Sequence, residues 1–193
     1  MDLKKNVNYI VSGLERSGTS MLMQILHAAD IPIAYDHESR PSDPNNPRGY
    51  YELEGGKIIN RLIEGDFPFE KYQGIFIKIT AYGMKHLPRG NYKVVYSERN
   101  IEEILDSMEK MAGEKDPRRE ETKQAFLKLN RLVKKQLRDR EDVDVLFVNY
   151  NHILSDPKRD IKKIQRFLDI SEEKIEEMVE VVDHRLYRQR KKQ

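Results

Sequence analysis

The sequence predicts a three-layer α/β fold, with a mainly parallel central sheet flanked by helices. Two observations carry that expectation. Residues 7–11, Val-Asn-Tyr-Ile-Val, form a short β-branched run that enters a glycine-containing loop, and the residues beyond it switch to helical spacing, which opens an α/β unit. Three more apolar strand-like runs then alternate with helical patterns, the order that puts a parallel sheet between two helical layers.

The elements follow in chain order. Residues 7–11 read as a buried strand. Met21, Leu22, Ile25, Leu26 and Ala29 recur on one helical face. Pro32, Pro41, Pro44, Pro47 and Gly49 make residues 31–50 mostly loop, and a short helix is expected over about 52–64. Residues 75–79 and 92–96 read as strands. Ile101, Ile104, Leu105, Met108 and Met111 share a helical face, and a charged break with Gly113 and Pro117 covers 112–120. Ala125, Phe126, Leu129, Leu132, Val133 and Leu137 are the expected buried side of a longer helix, and 143–148 is a further strand. Asp156 can cap a helix that has Pro157 at its first position and Ile161, Ile164, Phe167 and Leu168 toward the core. Ser171 is the expected cap of the last helix, with Glu172 and Glu173 in its first turn and Ile175, Met178, Val179 and Val182 inward.

Composition narrows the function. A chain of 193 residues, 38% hydrophobic and 35% charged, suits one domain over 1–193 with a real core. Its 35 basic and 33 acidic residues leave a net charge of +2, which gives no global case for nucleic acid and leaves room for a local cationic pocket. With no cysteine, disulfides, thiolate catalysis and cysteine-ligated metals are excluded. No long apolar stretch suggests a signal peptide or a membrane span, so a cytoplasmic location is the expectation. Arg185, Arg188, Arg190, Lys191 and Lys192 make 185–193 a basic tail, the charge that suits a helix C-terminus.

The loop Gly13-Leu14-Glu15-Arg16-Ser17-Gly18-Thr19-Ser20 fits a phosphate cradle. Glycines let backbone N–H groups turn inward around anionic oxygens, and the following helix adds the positive end of its dipole. The P-loop pattern would place lysine after the second glycine, and Thr19 stands there. No apolar strand ends in an aspartate for magnesium. The loop therefore favours an anion other than Mg-ATP, with Arg16 supplying charge from inside it. The bland alternative is a strand-to-helix turn whose glycines serve packing alone.

This loop resembles the phosphosulfate-binding loop of the sulfotransferase superfamily, which carries Arg or Lys followed by Ser-Gly-Thr and a second hydroxyl residue. The resemblance implies 3′-phosphoadenosine-5′-phosphosulfate (PAPS) as donor, a P-loop-NTPase-like fold, no metal, and Glu15, Arg16, Ser17, Gly18, Thr19 and Ser20 as donor-binding residues. The family's second signature is an Arg at a strand end with a Ser eight positions later, both for the donor's 3′-phosphate. Arg99 and Ser107 match it here, although Arg-Asn-Ile replaces the usual Arg-Asp-Pro. Taken alone, these two would read as a surface ion pair and a helical serine bonded to its own backbone. Asn46-Pro47-Arg48-Gly49-Tyr50-Tyr51-Glu52 is similar to a run found in many prokaryotic members. The stretch from Val148 through Tyr150 to Pro157 resembles the family's Tyr-Glu-Asp-Leu run with Asn151 and His152 in its second and third places, which adds Tyr150 to the donor site. Phe167-Leu168-Asp169-Ile170 resembles a further family run, so the likeness covers about 9–170. The C-terminal Arg-Lys-Gly loop of the animal cytosolic enzymes is absent, and the basic tail is a substitute or only a solvated end.

The implied chemistry is in-line transfer of a sulfuryl group to a hydroxyl or amine. The loop backbone, Arg16, Thr19 and Ser20 would stabilise charge, and Lys78 matches a family lysine beside the active site, its alternative being a strand-end lysine in water. The base is not the family's histidine, because Thr80 occupies that position. Glu38 is the first candidate, His37 the second and Glu52 the third. The acceptor class spans small molecules, sugars and lipids, with loops 31–50 and 112–120 as expected walls and Tyr35, Tyr50 and Tyr51 as stacking or core residues. The rival readings are a P-loop small-molecule kinase and a sulfotransferase-like protein that binds nucleotide without turnover.

Overall fold

Alternation on the first strand sets up both sides of the protein. The computed structural model describes residues 3–36, 38, 42–43 and 46–183. In β1 (Asn8–Gly13) every residue is buried, with Tyr9 and Val11 on one face and Ile10 on the other. β1 lies between β2 (Phe76–Lys78) and β3 (Tyr92–Glu98), and β4 (Val143–Asn149) pairs with β3, giving the order β2-β1-β3-β4 with every pairing parallel. A strand buried on both faces reads as a continuous apolar run, which is how 7–11 read in the sequence.

Helices cover both faces. On the Tyr9 side, α1 (Thr19–Ala28), α6 (Tyr150–Ser155), α7 (Pro157–Leu168) and α8 (Ile175–Glu180) enclose Val11, Phe76, Val95 and Val148. On the Ile10 side, α2 (Ile58–Glu64), α3 (Ala81–Met84), α4 (Ile101–Ala112) and α5 (Arg119–Asp139) enclose Ile77, Val94, Tyr96 and Val143. The chain leaves β1 toward β2 on one side and returns toward β3 on the other. That reversal makes the carboxyl ends of β1 and β3 a topological switch point, where an open α/β sheet leaves a crevice.

Several local expectations are corrected. The helix expected at 52–64 is split: Glu54–Gly56 form a 3-10 turn in which Gly55 has φ 62°, and α2 begins at Ile58. α5 starts at Arg119, within the expected break, and its inward stripe runs Phe126, Leu129, Val133, Leu137. Ala125 and Leu132 fall off that stripe and are exposed, because they sit outside its three-to-four-residue spacing. Asp156 caps α7 as expected, accepting from Arg159 N at 3.3 Å ahead of Pro157. Ser171 makes no cap bond; it precedes a 3-10 turn at Glu172–Lys174, and α8 starts only at Ile175. The basic tail 185–193 lies outside the described residues. Among the described residues no helix is long and apolar enough to cross a membrane.

α4 is held by charge as well as by its apolar face. Arg119 at the start of α5 reaches Glu102 Oε2 at 2.9 Å, Asp106 Oδ1 at 2.7 Å and Glu109 Oε1 at 2.8 Å. Hydrogen bonds from Lys115 and then Arg119 hold the Glu109 carboxyl down at about 2, against an ordinary 4.5. A depressed carboxylate contributes stability that is complete above its ordinary value and is lost as pH falls through the depressed one. Arg119→Ala is therefore expected to lower stability modestly at neutral pH, because the pair is partly exposed. The deficit should shrink as pH falls from about 4.5 toward 2. Urea melts of both proteins at pH 7 and pH 3 measure it, and equal stability at pH 7 would remove the clamp.

Candidate functional site

Each strand delivers one part of the site at its carboxyl end. Gly13 ends β1 and is in register with Ser97 of β3, Lys78 ends β2 opposite Val11, and Glu98 of β3 pairs with Asn149 just before Tyr150. The loop after β1 starts α1, whose N-terminus has no side-chain cap. The first N–H groups of a helix have no partner within the helix, so an uncapped end that opens on a cavity is suited to an anion. Thr19, Ser20 and Met21, the first residues of α1, line a cavity of about 460 Å³ together with Glu15, Arg16 and Gly18.

The loop is tight and braced. A side chain at Gly13 would collide with Ser17 Oγ and stand 2.7 Å from the Ser97 carbonyl oxygen. Gly18, at φ 104°, lies under the Tyr150 ring. Arg16 takes φ 62°, a conformation that costs a non-glycine residue about 1 kcal/mol or more unless its surroundings hold it. Here they do. Arg99 Nη1 donates to Arg16 O at 2.9 Å, Ser97 Oγ donates to Ser17 O at 2.7 Å, and Arg16 Nε donates to Ser107 Oγ at 3.0 Å. Ser107 is thus turned to the loop and not to its own backbone.

Arg99 is not a surface ion pair. Its side chain is 7% exposed and its Nε lies 3.1 Å from Glu103 Oε2, itself 3% exposed. The guanidinium stacks on the Tyr150 ring at 4.4 Å. Burial pushes the Tyr150 hydroxyl above its usual range, and Arg99 offsets part of that shift. Arg99, Ser107 and Tyr150 line the same cavity as the loop.

The opposite wall is built on Lys78, which is buried rather than solvated. Its Nζ lies 3.0 Å from Glu52 Oε1, donates to Tyr50 O, and reaches Ser20 Oγ at 3.4 Å. Ser20 Oγ donates to Tyr50 O at 3.3 Å and accepts from Asn46 Nδ2 at 3.0 Å. Tyr50 is anchored by its hydroxyl to Asp43 Oδ2 at 2.7 Å. The Asn46–Glu52 run is therefore tied to the start of α1. A side chain at Gly56 would stand 3.1 Å from Glu52 Oε2.

The cavity gathers Glu15, Arg16, Gly18, Thr19, Ser20, Lys78, Arg99, Ser107 and Tyr150 from the expected set, and Ser17 sits buried beneath the loop. It does not include Glu38, which is exposed with its N–H bonded to Asp36 Oδ1 at 3.0 Å, and His37 lies outside the described residues. Glu52, the third candidate, lines the cavity. Tyr50 does too, whereas Tyr35 and Tyr51 pack on each other and on His27 away from it. Of the expected walls, 31–50 contributes Asn46, Pro47 and Tyr50, while 112–120 contributes nothing; Lys110 and Met111 at the end of α4 stand in its place. Glu103 and Lys110 were not anticipated. Glu103 lies in the first turn of α4, just after Arg99, and Lys110 follows Ser107 by three on one face of that helix. Among the described residues no cluster of His, Asp or Glu could hold a metal.

Comparison with known proteins agrees with this architecture. A family model described as a sulfotransferase domain matches residues 7–193. No curated protein matches the sequence. Among solved structures, the mouse sulfotransferase SULT7A1, crystallised with PAP, aligns at 16% identity over 93% of this chain and 64% of its own, with a TM-score of 0.51. The chain thus spans under two-thirds of that enzyme's length. The sulfotransferase domain of the Synechococcus PCC 7002 olefin synthase aligns at 14% identity over 94% of this chain and 82% of its own, with a TM-score of 0.53. At such identities the likeness is one of fold.

Gly18→Ala puts a methyl group against Tyr150 in a backbone conformation that disfavours any side chain. It is expected to destabilise the protein by about 1–3 kcal/mol. The chain has ten tyrosines and no tryptophan, so tyrosine emission read against a Tyr150→Phe control reports the displaced Tyr150 alongside the thermal melt. A variant with unchanged melting and emission would contradict the packing of Tyr150 on the loop.

Proposed function

The chain belongs to the sulfotransferase domain family, and on that premise we propose that it transfers a sulfuryl group from PAPS to a hydroxyl or amine of a small-molecule, sugar or lipid acceptor. One observation carries the reading: a single cavity is lined by two polar, cationic groups, linked by the bond from Arg16 Nε to Ser107 Oγ. The first is the uncapped α1 N-terminus with Arg16, and the second is Arg99 with Ser107. Two such groups suit a nucleotide with phosphates at two positions. A triphosphate would need a lysine where Thr19 stands.

Bound PAPS supplies a sulfuryl group whose transfer releases adenosine 3′,5′-bisphosphate as leaving group. The protein's part is placement and charge stabilisation. The N–H groups opening α1, with Arg16, Thr19 and Ser20, face the leaving phosphate in this reading. Arg99 and Ser107 take the 3′-phosphate, and Tyr150 packs between the loop and Arg99. Glu52 replaces Glu38 as the first candidate for the base, since it lines the cavity and Lys78 fixes its Oε1. Its carboxylate would accept the proton that the acceptor loses as the new S–O or S–N bond forms.

Calorimetry with adenosine 3′,5′-bisphosphate and with Mg-ATP tests the donor. The bisphosphate is expected to bind and Mg-ATP to bind far more weakly; the reverse order would favour the kinase reading. Labelled PAPS with sugars, phenols, lipids and peptides then tests turnover. Bisphosphate binding with no acceptor sulfated would point to a binding protein. Glu52→Gln is expected to lower turnover by about 100-fold or more with donor affinity kept, while Glu38→Gln leaves turnover near wild type. The opposite pattern would return the role to Glu38.

A further inference from the structure

Glu103 is a buried acid for which in-line transfer gives no direct use. Its side chain is 3% exposed, and both of its oxygens are bonded. Oε2 accepts from Arg99 Nε at 3.1 Å, and Oε1 accepts from Asn151 Nδ2 at 3.1 Å. Arg99 Nη1 in turn donates to the carbonyl of Arg16 at 2.9 Å. A chain of bonds thus runs from α6 through α4 and the end of β3 into the loop.

We infer that Glu103 is a positioning residue: with Asn151 behind it, it fixes the Arg99 guanidinium so that the cavity prefers a nucleotide carrying a 3′-phosphate. The inference rests on the PAPS reading above. The geometry separates three roles. A guanidinium held at Nε by a carboxylate and stacked on Tyr150 cannot rotate, so its plane keeps one direction. A carboxylate acting only through its charge would do the opposite, since a negative group beside Arg99 opposes an incoming phosphate. A carboxylate that only fills space would be replaced by an amide without effect. Asn151 fits the first role: an amide can donate to Oε1, whereas a second acid there would repel it.

The test is calorimetry of the full chain with adenosine 3′,5′-bisphosphate and with AMP, read as the ratio of the two affinities. Glu103→Gln keeps the shape and removes the charge-assisted bond, and Glu103→Asp keeps the charge but withdraws it by a methylene. Positioning predicts that each lowers the ratio about fivefold or more, with AMP affinity little changed. It also predicts that Glu103→Gln lowers the ratio no further in an Arg99→Ala background. A raised ratio in Glu103→Gln with an unchanged one in Glu103→Asp would overturn positioning in favour of charge alone. An unchanged ratio in both, or an equal loss of both nucleotides, would reduce Glu103 to a packing residue. If one variant fails to melt cooperatively, the other carries the same expectation. A wild-type protein that does not prefer the bisphosphate overturns the donor reading itself, an outcome distinct from variants that match a selective wild type.

Discussion

The site depends on one constraint: between the end of β1 and the start of α1 the chain must turn sharply beside the cavity. That turn forces Arg16 to φ 62° and Gly18 to φ 104°. A loop so shaped does not hold itself. Its braces come from the neighbouring strand ends: the Ser97 hydroxyl on the Ser17 carbonyl, Arg99 on the Arg16 carbonyl, and the Tyr150 ring over Gly18. Parallel strands in the order β2-β1-β3-β4 bring those ends together at the switch point. Sheet order, loop strain and the cavity are therefore one arrangement.

The same logic explains why so much charge is buried there. Lys78 and Arg99 are both nearly inaccessible, and each meets a carboxylate, Glu52 and Glu103 respectively. A buried cation without such a partner would destabilise the protein severely, and a pair alone adds little to stability. What the pairs add is direction. Lys78 ties Glu52 and the Tyr50 carbonyl to Ser20, and Arg99 ties α4 to the loop. The cavity has cations whose orientation is set before any ligand arrives, which is the condition for stabilising charge without reorganisation.

Much of this was legible in the sequence because its signals are local. The glycines, Arg16 and the hydroxyls are adjacent, and Arg99, between β3 and α4, is only eight residues from Ser107 within α4. The α/β alternation was legible for the same reason, since each strand is a short run with sharp borders. Chain distance from the loop pointed to Glu38, which is exposed, whereas Lys78 at the end of β2 holds the loop residue Glu52 at the cavity wall, a contact that no local pattern announces. The split at Gly55 follows from two adjacent glycines, poor helix formers, with Gly55 at φ 62°, and after Ser171 a 3-10 turn precedes α8. Ala125 and Leu132 misled because apolar side chains on a long exposed helix need not face the core.

A crystal structure of the chain with adenosine 3′,5′-bisphosphate tests the central claim most directly. The account predicts the 5′-phosphate on the N–H groups that open α1, beside Arg16, and the 3′-phosphate on Arg99 and Ser107. A nucleotide whose 3′-phosphate lies away from Arg99, or whose 5′-phosphate leaves the loop after β1, would contradict it.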